Sequence, residues 1–313
     1  MYSVTGYGSM MADRVRMDAY AKALQDTVKP GSIVVDLGTG TGICAFLACQ
    51  LGAKRVYAIE PDPIIELAKI LAADNGLSEL IEFIPQFSTQ VTLPEKADVL
   101  VSDLRGILPL FRQHIPSLID ARTRFLAPDG VLIPQQDRIW GCLVHAPKLY
   151  QQYQAPWGDN RYGLNFTKGN RWAMNRLYKC TVQPEQCVVS PQWVTTLDYG
   201  TIEDANLRGE LSWESEETTT VHGLVLWFES QLTEGVSFSN APGEPDLIYG
   251  KAFLPWERPV GLEKRDRVTI TLKANLVHNH YIWQWHIQVW RNHQLIETLR
   301  QSTFYSHLSI PEQ

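Results

Sequence analysis

The stretch VVDLGTGTG, residues 34–42, decides the fold of this chain. The β-branched run from Ser32 to Asp36 reads as a buried strand, and an apolar run to about Leu51 reads as the helix that follows it. Gly38, Gly40 and Gly42 lie between them. Glycines at such a turn let the backbone bend sharply and approach a ligand closely. Glu60 ends the next strand, Arg55 to Glu60, where a carboxylate can accept hydrogen bonds from both hydroxyls of a ribose. Glycine loop and acid together point to an adenosine-type ligand at the switch point of a parallel sheet.

The spacing selects among such ligands. A dinucleotide site reads G-x-G-x-x-G and seats a pyrophosphate on the helix N-terminus. This loop reads G-x-G-x-G and follows closely on Asp36. That acid repels a pyrophosphate, yet it can accept a hydrogen bond, direct or through water, from the ammonium of a methionine moiety. S-adenosylmethionine therefore fits better than NAD. A dehydrogenase is the runner-up, and a tight turn without ligand is the plain structural alternative.

Outward from the loop, strands and helices alternate. Met11, Val15, Ala19 and Ala23 mark an amphipathic helix from about Met10 to Val28, ended by Lys29-Pro30-Gly31. Asp62 and Pro63 open a helix to about Asn75. Ile81–Ile84, Ala97–Ser102 and Gly130–Pro134 read as strands and Phe111–Phe125 as a helix. The pattern predicts an α/β, Rossmann-type doubly wound sheet over residues 1–134. After Pro134, short alternating runs such as Val221–Phe228, Arg267–Leu272 and Tyr281–Trp290 predict a β-rich second domain, a barrel, over residues 135–313.

Composition adds exclusions. Net charge is −6, which does not favour a phosphate backbone, so no nucleic-acid partner is expected. The N-terminus lacks the apolar core of a secretory signal, and no apolar run is long enough for a bilayer. A cytoplasmic protein without membrane contact is expected. The five cysteines, Cys44, Cys49, Cys142, Cys180 and Cys187, form no CxxC and read as small buried hydrophobes, with neither disulfide nor metal site expected.

The chain resembles the protein arginine methyltransferases along nearly its whole length. MMADRVRMDAY, from Met10 to Tyr20, is similar to that family's helix over the cofactor. GAKRVYAIEPD, Gly52 to Asp62, resembles its ribose-binding strand, and SDLRGILPLFR, Ser102 to Arg112, stands where it has its substrate loop. WGDNRYGLN, Trp157 to Asn165, and VHGLVLWFES, Val221 to Ser230, resemble its β-domain. The resemblance implies S-adenosylmethionine as cofactor, a barrel, a dimerisation arm at about 149–179 and a homodimer. It assigns Arg16 to the cofactor carboxylate and Gly38, Thr39 and Gly40 to the loop. Glu60, followed by Pro61, takes the ribose, and Ser88 and Thr89 fall near adenine, where the family often has an acid. Met10 belongs to the covering helix. Tyr7, where many relatives carry histidine, covers the cofactor or simply packs. The aromatic residues of the arm segment, Tyr150, Tyr153, Trp157, Tyr162, Phe166 and Trp172, present a partner surface or pack on their own barrel.

The acceptor side departs from the family. Two glutamates there hold a substrate guanidinium, which stays charged and must be pinned for methylation. Here the first is Asp103, one methylene shorter, and the second is Arg112, of reversed charge. Like charges at close range cost on the order of 4 kcal/mol at intermediate dielectric. The Thr-His-Trp loop is also missing; SNAPGEPDLIYGKAF, from Ser239, offers Ile248 and Tyr249 instead. The favoured reading is a small-molecule or peptide acceptor with an amine, hydroxyl or carboxylate, Arg112 binding an anionic group or pairing with Asp103. An alternative keeps arginine, with Glu244 or Asp246 moving in. A non-catalytic scaffold is the third, opposed by the retained Arg16, Asp36 and Glu60. His114 reads first as a surface or capping histidine and second as a general base. His222 and His286 read as structural. Trp157 and Trp256 read as loop residues able to line a pocket.

Overall fold

The strands read around the glycine loop come together, in a computed structural model that describes residues 3–158 and 161–306, as one five-stranded sheet. β1 (Ile33–Leu37), β2 (Arg55–Ile59), β3 (Ile81–Ile84), β4 (Ala97–Ser102) and β5 (Leu126–Ile133) lie in the order β3-β2-β1-β4-β5. All four neighbouring pairs are parallel. β1 has no exposed residue, as a strand covered on both faces requires. α3 (Ile43–Gln50) and α4 (Ile65–Asp74) make the crossovers, and α5 (His114–Arg124) leads into β5. Leu37 pairs with Ile59 on one side and Ser102 on the other, so the carboxyl ends of β1, β2 and β4 stand side by side. Gly38, Glu60 and Asp103 follow closely on those ends, at the point where strand order reverses.

The helix expected over Met10–Val28 is two helices. α1 (Val4–Ala12) ends at Asp13, whose carboxylate accepts from the Arg16 amide at 3.2 Å and starts α2 (Arg14–Thr27). A side-chain cap inside an apolar periodicity redirects the chain where the periodicity alone continues it. α4 likewise starts two residues later than expected, and Asp62 accepts from the Ile64 amide at 3.1 Å.

The chain divides into two compact units. The first runs to Asp137 and recruits Leu197–Asp204 and Glu229–Ser239; the second holds Arg138–Thr196, Ala205–Phe228 and the chain from Asn240 on. In the second unit the strands are antiparallel and alternate in burial, as in β9 (Leu207–Glu214). β13 (Arg267–Val277) and β14 (His280–Arg291) pair with β9 and β15 (Gln294–Ser302) in a four-stranded sheet. β6 (Gln136–Val144), β7 (Tyr178–Cys180), β8 (Gln192–Asp198), β10 (Thr219–Thr233) and β12 (Lys251–Leu262) form the larger sheet. The end of β10 pairs with β11 (Val236–Ser239) inside the first unit. The barrel thus takes the form of two antiparallel sheets that do not close among the described residues. Trp256 is fully buried in β12 and Trp157 lies in α6 (Pro147–Gly158), so neither is a loop residue.

One buried ion pair gathers the first unit. Arg105 donates to both oxygens of Asp137 at 2.7 and 2.9 Å, to the Tyr20 hydroxyl at 2.7 Å and to Ser230 Oγ at 2.6 Å. Tyr199 donates to Asp137 at 2.5 Å, and Tyr20 to the Ser102 carbonyl at 3.0 Å. Arg105 and Asp137 have no exposed side-chain surface. Removing one partner of such a pair strands the other charge in a dry site. Asp137→Ala is expected to cost about 3–5 kcal/mol in urea unfolding; a loss below about 1 kcal/mol, typical of exposed pairs, contradicts this account.

Candidate functional site

The site is built at the carboxyl ends of β1, β2 and β4. Gly38 and Gly40 take left-handed backbone angles, φ 77° and 55°. A Cβ on Gly38 would overlap the Leu104 side chain, and one on Gly40 would lie 2.9 Å from the Tyr7 ring. The loop therefore shows bare backbone, covered by two side chains. Its Gly38 and Thr39 amides donate to the Ile59 carbonyl at 2.8 and 3.1 Å, which ties it to β2.

Asp36 is buried. One oxygen, Oδ2, accepts from the Thr39 hydroxyl at 2.6 Å and the Ala45 amide at 3.0 Å. Ala45 is the third residue of α3, whose N-cap Gly42 has no side chain to offer. The strand acid thus caps the helix from a distance. Oδ1 accepts no hydrogen bond from a described residue. Burial pushes the carboxyl up to about 6, with Glu60 and Asp103 adding to the shift and the Thr39 and Ala45 bonds opposing it.

Glu60 Oε2 accepts from the Gly40 amide at 3.1 Å and Oε1 from the Asp62 amide at 2.9 Å. Each oxygen keeps a lone pair for a hydroxyl. Burial raises this carboxyl too, against the two amide bonds. Of the neighbours singled out in the sequence, Ser88 is buried while Pro61 and Thr89 are exposed. Arg124 fixes the Ser88 turn by donating to its carbonyl at 2.6 Å.

Arg16 and Asp103, assigned to opposite ends of the reaction, are brought together. Arg16 is buried; its Nε and Nη2 lie 2.6 and 2.5 Å from Asp103 Oδ2, and its Nη1 donates to the Met10 carbonyl at 3.0 Å. Arg105 Nη1 donates to the other oxygen, Oδ1, at 2.9 Å. Arg105 was not among the expected site residues. Its signal was one cation in the otherwise apolar run LRGILPLF.

Arg112 neither pairs with Asp103 nor enters the unit. It is exposed at φ 45°, stacks on the adjacent Phe111 ring at 5.1 Å and forms no ion pair with a described residue. His114 is neither surface nor cap: it is buried and stacks on Tyr199 at 5.4 Å. Burial, and then the charge of Arg105, push its ring down to about 4, so it stays neutral at physiological pH. No described cluster of three or more His, Cys, Asp or Glu could hold a metal ion.

The Asp36 shift has a defined sign. Its folded value lies above the ordinary 3.8, so its contribution to stability is complete below about pH 4 and is lost as pH rises through about 6. Relative to Asp36→Asn, wild-type unfolding free energy is expected to fall by on the order of 3 kcal/mol between about pH 4 and pH 7. A difference that does not change with pH refutes the raised value.

Two family models match successive parts of the chain. The family described as ribosomal protein L11 methyltransferase (PrmA) matches residues 20–145, and the arginine methyltransferase oligomerization subdomain matches residues 142–294. Protein arginine N-methyltransferase 2 of Homo sapiens is 29% identical over 299 residues, covering 90% of this chain and 68% of that protein. Protein arginine N-methyltransferase PRMT10 of Oryza sativa subsp. japonica is 42% identical over 133 residues, 42% of this chain and 35% of that protein. The Trypanosoma brucei PRMT1 enzyme-prozyme heterotetrameric complex with AdoHcy superposes with TM-score 0.85 at 22% identity, covering 95% of this chain and 96% of that one. Arabidopsis thaliana protein arginine methyltransferase 10 superposes at 0.84 with 23% identity, covering 96% and 98%. With one match on the parallel-sheet half, another on the strand-rich half and relatives aligned across both, the chain is similar to the protein arginine methyltransferases along nearly its whole length.

Proposed function

We propose that this chain is an S-adenosylmethionine-dependent methyltransferase. The observation that carries the reading is the convergence of Arg16, the unengaged Oδ1 of Asp36, the bare Gly38–Gly40 backbone and Glu60. A planar guanidinium suits a carboxylate, Oδ1 suits an ammonium, and Glu60 suits two ribose hydroxyls. When bound, the cofactor supplies a methyl on a positively charged sulfur, an already activated leaving group. The chain's own part is orientation: Asp103 holds Arg16, Thr39 and Ala45 hold Asp36, and the Gly40 and Asp62 amides hold Glu60. Tyr7 covers the loop at Gly40.

The relatives' names point to arginine as acceptor. The substrate loop favours a second reading. Both oxygens of Asp103 are engaged by guanidinium groups of the chain itself. Arg16, Arg105, Asp103 and Asp137 cancel in charge, and exposed Arg112 leaves the loop positive. Such a loop suits an amine, hydroxyl or carboxylate on a small molecule or peptide better than a guanidinium.

The arm segment carries a further part of the reading. Tyr150 is buried, its hydroxyl on the Glu257 carbonyl at 3.0 Å, and Tyr153 stacks on Tyr178. Trp157, Tyr162, Phe166 and Trp172 are exposed. Asp159 and Asn160, within the expected WGDNRYGLN motif, lie outside the described residues. Outward aromatics in a region matched by an oligomerization subdomain support a homodimer.

Calorimetry is expected to show S-adenosylmethionine binding, weakened by roughly 2 kcal/mol in Glu60→Ala. Absence of binding to wild type, or preference for NAD, ends the methyltransferase reading. With labelled cofactor and arginine-rich peptides, the loop predicts no methylarginine after hydrolysis to amino acids; its catalytic formation establishes arginine as the acceptor. Light scattering at micromolar concentration is expected to give twice the chain mass, and a monomeric mass opposes the homodimer.

A further inference from the structure

Cys142 and Cys187 are 45 positions apart, and the fold of the second unit brings their sulfurs to 2.7 Å. Cys142 lies near the end of β6, and Cys187 follows the short turn Pro184–Gln186. The two segments meet in an antiparallel bridge at Val144 and Cys187. The His145 amide donates to the Gln186 carbonyl at 2.8 Å and the Val188 amide to the Leu143 carbonyl at 3.0 Å, so the approach is fixed by backbone. Residues two apart on a strand share a face, which puts the Cys142 side chain on the side of Cys187. Both are free thiols, and their separation exceeds a disulfide bond length, about 2.05 Å, by less than one ångström.

The two sulfurs differ in access and charge. Cys142 is fully buried, whereas Cys187 is half-buried. Their hydrogen bond keeps the proton on Cys142, whose thiol is raised, and lowers Cys187, with the ammonium of buried Lys251 helping. Cys187 is therefore the nucleophile and Cys142 its partner. Nearby Cys180 is pushed up to about 12 by burial and remains a thiol.

We propose that Cys142 and Cys187 form a reversible redox site, in which hydrogen peroxide oxidises Cys187 and Cys142 closes a disulfide with it. In the first step the Cys187 thiolate attacks the near peroxide oxygen, the O–O bond breaks, and the far oxygen leaves as water after protonation. The product is a sulfenic acid at Cys187. In the second, the Cys142 sulfur attacks the Cys187 sulfur, the S–O bond breaks, and water leaves with the Cys142 proton. Two thiols have lost two electrons and two hydrogens, and the peroxide is reduced to two waters. A thiol reductant reverses the bond by exchange at the accessible sulfur. The span so closed contains α6 and α7 (Asn170–Met174), the segment with the exposed aromatics, and the bond constrains it at its base. This inference is independent of cofactor and acceptor.

The test uses the full chain. After treatment with hydrogen peroxide and alkylation, non-reducing peptide mass spectrometry is expected to find Cys142 linked to Cys187, with two hydrogens lost and recovery in dithiothreitol. Cys142→Ser is expected to trap Cys187 as a sulfenic acid labelled by dimedone, and Cys187→Ser to leave Cys142 alkylatable. Amide exchange in α6 and α7 is expected to slow in the oxidised wild type. The proposal is overturned if wild type carries sulfinic acid at Cys187 beside an alkylatable Cys142, links Cys187 to Cys180, or keeps both thiols under peroxide that oxidises glutathione. Because the wild-type mapping decides alone, a variant that does not fold leaves the result standing.

Discussion

A guanidinium sealed inside a protein must have its charge answered and its donors filled. Arg105 meets that requirement with two carboxylates and two hydroxyls drawn from α2, the loop after β4, the start of β6 and the end of β10. These segments are far apart in sequence, and each supplies a partner the others cannot replace. The loop after β4 is consequently shaped by the needs of its own arginine. Arg122 adds a neighbouring constraint by donating to the Tyr199 and Ile202 carbonyls at 2.8 and 3.1 Å and pairing with Glu203. That holds the Leu197–Asp204 segment, which carries Tyr199 to Asp137.

Asp103 transmits this constraint to the cofactor side. One oxygen belongs to Arg105 and the other to Arg16, so the position of Arg16 depends on a residue with no exposed side-chain surface. The carboxylate that the family resemblance assigns to the acceptor thus acts here as a joint between two internal guanidinium groups. Its charge is answered within the chain by those two arginines. Restoring an acid at Arg112 alone would place it on an exposed side chain, while Asp103 kept both its arginines.

What the sequence revealed was local. Gly38, Gly40 and Glu60 were legible because a strand-turn-helix and the next strand end fix their places within a short stretch, and parallel pairing does the rest. Five strands could be named for the same reason, from short apolar runs between turn signals. The break at Asp13 was hidden because apolar spacing continues through it, and only the side-chain cap stops the helix. Arg105 with Asp137, 32 positions apart, and Cys142 with Cys187 were not legible at all. No periodicity links residues joined by tertiary folding. Arg112 was misplaced for a related reason: the motif gives its register, but the left-handed turn at φ 45° decides where its side chain goes.

Asp36 shows most clearly where stability and function diverge. Helix α3 begins at a glycine that cannot cap it, and the task passes to an acid on a strand buried throughout. A hydroxyl or amide would accept the same bonds without a charge to bury, and so would suit the fold alone better. The acid instead raises its own proton affinity to about 6 and keeps one oxygen free of described partners. A buried acid of raised proton affinity beside a bare glycine loop is a candidate functional position. A cationic ligand group at Oδ1 would favour the ionised form and offset the cost of burying it. Under the proposed function, the acid is half of an ion pair whose other half arrives with the cofactor.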